Sequence, residues 1–188
     1  MLPFRLKSAM PETKRRSLHP LLLERSYWRN RLQVLRLARP SVLLIPRPEL
    51  SDAAVDVDEF RIRAHDGVRL FGLRALSRIG AQRGPARIRI VGPCELAEID
   101  RSRIDAGECE FVFQEPAGRR LEDRVLDVLR ICQVATQSES VRSDQVQLVS
   151  ATQQPDEFLI ASHLLAEEAT APPLSCRGEG GAPDLRLL

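Results

Sequence analysis

The stretch "QVQLVSATQQPDEFLIASHLLAEEA", residues 145–169, reads as a strand running directly into an apolar helix. Asp156 and Glu157 in the first turn suit the positive end of that helix. In α/β folds the carboxyl end of a strand, where the next helix begins, is where nucleophiles and phosphate-binding turns sit, and such turns are built on glycine. The junction "SATQQP" contains none.

Working back from this junction, "RLEDRVLDVLRICQVATQ" is the clearest helix of the chain. Leu121, Val125, Val128, Leu129, Cys132 and Ala135 form one wide apolar stripe at helical spacing. Upstream, "VDEFRIRAHDGVRLFGLRAL" alternates Phe60, Ile62 and Ala64, turns at Asp66–Gly67 and resumes through Val68, Leu70, Phe71 and Leu73. Asp–Gly between alternating runs is a strong hairpin signal. "ARIRIVGP" and "CEFVFQEP" are two further strands, with "CELAEIDRSRIDAGE" between them as a short helix or loop. A hairpin followed by strands alternating with helices is an α/β order, with a parallel sheet covered on both faces.

Charge divides the chain unevenly. Residues 1–48 carry eleven Lys or Arg against Glu12 and Glu24, a net of +9, whereas the whole chain is only +2. Residues 1–17 are expected as a disordered basic tail and 18–39 as an amphipathic basic helix. In that helix Leu21, Trp28, Leu32 and Leu35 share a face, and Arg25, Arg29, Arg36 and Arg39 lie largely elsewhere. Residues 14–39 could engage nucleic acid or an anionic membrane surface. The commoner arrangement, in which the apolar face packs on the body and the arginines stay in water, is preferred. Residues 40–54, with "RPSVLLIPRPEL", read as a proline-punctuated linker, 55–169 as the folded domain and 170–188 as a flexible tail.

The four cysteines are widely separated and show no metal-ligand spacing, so neither a metal nor another cofactor is expected, and Cys109 and Cys132 read as buried thiols. No apolar run reaches the roughly 20 residues of a membrane span. A cytoplasmic location follows as the default, with an organelle presequence at the Arg/Ser-rich start as a minor alternative. Glu122/Asp123, Asp56/Asp58 and Glu167/Glu168 read as solvated faces, and His65 and His19 as polar surface residues.

The order "HDGVRLFGLRA", "RIRIVG", "EFVFQEPAGR", "RVLDVLRICQVATQSESVRSDQV", "QLVSA" and "EFLIASHLLA" resembles the α/β-hydrolase superfamily, and within it the first half of acetyl-xylan-esterase-type or peptidase-type domains. The likeness covers roughly residues 55–169. It implies a partial α/β-hydrolase-like sheet and places a nucleophile elbow of the "GxSxGG" type on the opening stretch. Ser150 then stands for the first glycine, Thr152 for the serine, Gln153 for the residue after it, and Gln154 and Pro155 for the last two glycines.

These departures bear on chemistry. The elbow needs glycine because neighbouring side chains would collide in its strained turn, and a β-methyl on the nucleophile stiffens χ1. Pro93, after the third strand, has no N–H for an oxyanion hole. His163 falls some three helical turns from Thr152, beyond the reach of a general base. The expectation is therefore a truncated, catalytically silent esterase-like domain acting in structure or interaction, its open sheet edge completed by a second copy or another chain. The alternatives are a carboxylic-ester hydrolase that uses Thr152 or Ser150 with a base from a partner chain, and an anionic-surface or nucleic-acid binder acting through the arm.

Overall fold

A computed structural model describes residues 19–37, 40–78, 83–92, 98–150 and 156–170. The expected tail at 1–17 lies outside these residues, as does the one at 170–188 apart from Thr170, which ends the last helix. Among the described residues six strands form one sheet: β1 (Val42–Pro46), β2 (Val55–Arg63), β3 (Arg69–Ser77), β4 (Gly84–Val91), β5 (Cys109–Gln114) and β6 (Val141–Ser150). Four helices accompany them: α1 (Arg25–Leu37), α2 (Arg101–Asp105), α3 (Leu121–Gln137) and α4 (Asp156–Thr170). The sheet order is β1-β2-β3-β5-β4-β6. β1, β2, β3 and β5 pair antiparallel in succession, and β4 pairs parallel with both β5 and β6. This is the α/β architecture expected, a hairpin followed by parallel strands with helices.

The hairpin turns where Asp–Gly predicts. Gly67 adopts φ 87°, a conformation glycine takes without steric cost. The Ala64 and Val68 backbones meet at 2.8 Å, and Asp66 Oδ1 accepts from the Val68 N–H at 3.2 Å. One layer further in, Gly72 faces Phe60 on β2 and Phe113 on β5. A Cβ there would collide with the Val112 carbonyl oxygen and lie 2.8 Å from the Phe60 ring.

The stretch expected as a linker is extended, but it is not free. Val42–Pro46 pairs with β2 in register from Val42↔Ile62 to Pro46↔Asp58. Because the Arg47 N–H donates to Val57 O, the odd positions 43, 45 and 47 face β2 and the even ones face away. Pro46 thus falls where its missing N–H costs the ladder nothing. The following turn is held by side chains: Ser51 Oγ accepts from the Val57 N–H at 3.0 Å, and Asp52 Oδ1 accepts from the Ala54 and Val55 N–H groups.

The main core lies on one face of the sheet. Phe60, Ile62, Leu70, Ile88, Phe111 and Phe113 meet Val125, Val128, Leu129 and Cys132 of α3 and Ile160, Ala161 and Leu164 of α4. α1 lies on the same side. Trp28 is fully buried, its indole N–H donating to Leu22 O at 2.9 Å, and Leu32 and Leu35 are buried with it. Arg130 of α3 donates to Leu35 O at 3.4 Å, and Tyr27 Oη to Glu122 at 3.3 Å. Leu21 does not join this face and is 47% exposed. Pro20–Leu23 form a 3₁₀ turn and Glu24 is extended, so the helical phase that aligns Leu21 with Trp28 is broken before α1 starts.

The two faces are not covered alike. Opposite the main core only α2 is found among the described residues, its Ile104 sealing a small cluster of Val55, Val57 and Ala75. The expectation of helices on both faces holds there only to the extent of five residues. No described helix is long and apolar enough to cross a membrane. Cys109 and Cys132 are buried free thiols, and burial pushes Cys132 up to about 12.

Two stability outcomes follow from this packing. Trp28→Ala empties a filled site and is expected to cost about 3–5 kcal/mol in urea unfolding followed by circular dichroism. Gly72→Ala adds one methyl group but meets backbone on β5, so it should cost about 1–3 kcal/mol rather than the small gain that Gly→Ala gives on an open strand.

Candidate active site

β4, β5 and β6 run parallel, and their carboxyl ends at Val91, Gln114 and Ser150 mark the edge where an α/β fold places ligands. β4 is followed by α2 on one face and β5 by α3 on the other, so the connections diverge between these adjacent strands. At that divergence the Glu115 N–H donates to Val91 O at 3.0 Å. The β2–β3 turn rises at the same edge because Phe71 pairs antiparallel with Gln114. The first turns of α3 and α4 complete the rim.

These elements carry charge in two clusters. In the first, Arg119 binds Asp127 through both forks, at 2.9 and 2.8 Å, and its other terminal nitrogen reaches Asp66. The pair is buried, with side-chain exposures of 8% for Arg119 and 2% for Asp127. Burial pushes the Asp127 carboxyl up to about 6 although Arg119 pulls it down. Burial also acts to raise Asp66, but Arg119 and the Val68 N–H bring it below its ordinary value. His65 Nε2 lies 3.5 Å from Asp123 Oδ1, and Arg120 meets the other oxygen of Asp123 at 3.2 Å.

In the second cluster Arg124 bridges Glu115 at 3.0 Å and Glu157 at 3.5 Å, joining the exit of β5 to the first turn of α4. Glu157 is nearly fully buried, and burial raises its carboxyl above the usual range. The ligand atoms of His65, Asp66 and Asp123 lie within 4.8 Å of one another, a donor set that could hold a divalent cation. Both carboxylates already serve guanidinium groups, so the charge a cation would use is spent inside the protein.

Of the elbow residues, Ser150 closes β6 opposite Ile90. Thr152 and Gln153, with Gln154, Pro155 and Pro93, lie outside the described residues. The three histidines of the chain can be placed. His65 stands over the β2–β3 end, and β5 and β4 separate β3 from β6, a distance of about 14 Å at the usual strand spacing. His19 uses Nδ1 to accept the Leu21 N–H at 3.4 Å, capping the 3₁₀ turn. His163 is half-buried in α4, about 10 Å along the helix from Asp156.

Several carboxylates that read as solvated are partnered. Asp58 meets Arg74 at 2.5 Å, Asp56 meets Arg78, Asp123 meets His65 and Arg120, and Glu122 accepts from Tyr27. The reason is topological. Asp58 and Arg74 are opposite each other in the hairpin register, and Asp123 faces a turn some sixty residues earlier in the chain. The one sequence signal for the Arg119 cluster was Asp127 itself, a charge set within the apolar helix of Val125, Leu126 and Val128. Glu167 and Glu168 have no described side chains.

Asp127 makes a pH dependence testable. Its folded value near 6 lies above the ordinary 3.8, so the folded state holds the proton more tightly than the unfolded chain does. The stability this confers is fully present below pH about 3.8 and is lost as pH rises through 6. In urea titrations between pH 4 and 7, wild type is expected to lose stability relative to Asp127→Asn by up to about 3 kcal/mol. A difference that stays flat with pH would mean that Arg119 keeps the carboxyl ionised throughout.

No protein-family model matches the chain, and no curated protein sequence does. Among solved structures it is similar to an acetyl xylan esterase from Paenibacillus sp. R4, with a TM-score of 0.63 at 12% identity over 82% of this chain and 61% of that one. It is similar also to Acetyl Xylan Esterase 1 from Thermoanaerobacterium sp. JW/SL YS485, with a TM-score of 0.62 at 15% identity over 82% of this chain and 60% of that one. The chain thus spans about three fifths of the length of these enzymes. At such identity the likeness speaks for the fold, and this chain carries a partial α/β-hydrolase-like fold of the kind found in acetyl xylan esterases.

Proposed function

We propose that the chain is an esterase-like domain that does not itself hydrolyse esters and serves as a structural or interaction domain. The observation that carries this reading is the placing of its histidines. Nucleophilic ester hydrolysis needs a base within about 3 Å of the attacking oxygen. His65, which lies beside the Asp123 carboxylate, stands about 14 Å across the sheet from β6. His19 is committed to a cap and His163 to the middle of α4. The residue types of the junction support the same reading, since "SATQQP" lacks the glycines that an elbow turn requires.

The interaction half of the proposal rests on the sheet. β6 is a parallel edge strand with no neighbour on its outer side among the described residues. Unpaired N–H and C=O groups on such an edge favour completion by another chain. The carboxylic-ester hydrolase reading, with Thr152 or Ser150 as nucleophile and a base from a partner chain, draws on the likeness to acetyl xylan esterases and is its direct competitor. The reading of residues 14–39 as an anionic-surface binder loses its inserting face, because Trp28, Leu32 and Leu35 are buried against the body.

Purified chain and Thr152→Ala should hydrolyse p-nitrophenyl acetate at the same rate, indistinguishable from the uncatalysed background. Turnover in the wild type that disappears in Thr152→Ala would establish the competing reading. Sedimentation of the same sample reads the edge, where a species larger than one chain is expected.

A further inference from the structure

On the sheet face opposite α1, α3 and α4, the β2–β3 end carries an arrangement that folding alone disfavours. Arg63 and Arg69 stand directly opposite each other in the hairpin register. Like charges in that relation repel and destabilise the pairing. Both side chains are exposed, and no ion pair or side-chain hydrogen bond holds either of them among the described residues. The acids at this end of the molecule do not compensate them: Asp66 is bound to Arg119, and Asp123 to His65 and Arg120.

The next row across the same face runs Leu43, Arg61, Phe71 and Gln114, successive partners on β1, β2, β3 and β5. Phe71 is 46% exposed and Leu43 56%. Arg61 gives part of its charge to Glu59 at 2.6 Å, an acid that Arg47 also binds. Ser41, Leu43, Arg61, Arg63 and Arg69 line a cleft of about 290 Å³ at this corner. The corner therefore offers two unneutralised guanidinium groups, a third that is half satisfied, and an aromatic ring two residues along the strand from Arg69.

We infer that this corner binds single-stranded nucleic acid, with phosphates on Arg63 and Arg69 and a base stacked on Phe71. Cations beside an exposed aromatic ring on a sheet are the elements by which single strands are held without sequence preference. A bilayer fits less well, because the apolar groups here are Phe71 and Leu43, set singly among the cations rather than as a protruding apolar face. The inference goes beyond the non-catalytic reading and does not depend on it.

The test is fluorescence anisotropy of the full chain with a labelled oligouridylate of about 12 nucleotides, at about 50 and 200 mM salt. Saturable binding at the lower salt is expected. Arg63→Gln with Arg69→Gln should weaken it at least tenfold and reduce the slope of log affinity against log salt by about 1.4. Phe71→Ala should weaken it about tenfold. Single Arg69→Gln should leave the melting temperature unchanged or higher, since it relieves the opposed charges. Four outcomes would overturn the inference. They are no saturable binding at the lower salt, binding indifferent to the paired arginine change but lost on replacing Lys14, Arg15 and Arg16, tighter association with phosphatidylserine vesicles than with the oligonucleotide, and a melting temperature lowered by Arg69→Gln.

Discussion

The antiparallel hairpin and the parallel strands become one sheet only where β3 lies against β5, and that approach is possible because Gly72 has no side chain. Phe60 fills the space above it, in contact with the Phe111 ring at 6.2 Å between centroids, so one small residue lets two aromatic ones seat the sheet against α3. Everything at the carboxyl edge inherits its position from this seam. The hairpin turn stands beside α3 because β3 is paired there, and Arg119 can reach Asp66 only because that turn does.

The charged groups at this edge bind one another. In a hydrolytic site, carboxylates and histidines are set to act on a substrate and their values are tuned toward the working pH. Here Arg119 and Arg124 each draw two carboxylates inward and tie three separate elements into a rim. Raised values at Asp127 and Glu157 come from burial within ionic contacts, which also arises in structural networks. The non-catalytic proposal therefore rests on where the histidines stand, not on these shifted carboxyls.

Much of the fold could be read from local pattern. The Asp66–Gly67 turn, the α3 stripe and the strand-to-helix passage at 145–169 are local, so periodicity and turn chemistry report them. β1 is not legible as a strand, because a proline-rich extended stretch looks the same whether or not a partner lies alongside, and its partner begins nine residues later. The partners Arg74 of Asp58, His65 of Asp123 and Tyr27 of Glu122 are hidden for a related reason, since register and crossover rather than spacing along the chain bring them together. Of the elbow, Ser150 is placed at the end of β6, and Thr152 and Gln153 fall outside the described residues.

Pro46 on β1 bears on how this sheet can assemble. Its outward position leaves Val42 and Leu44 as the only outward N–H donors along that strand, while β6 at the opposite margin carries a longer run of backbone. Among the described residues the sheet thus has one blunted margin and one unpaired one, a combination that works against end-to-end stacking. Association through β6 would consume the receptive margin of both copies, so it would stop at a closed pair.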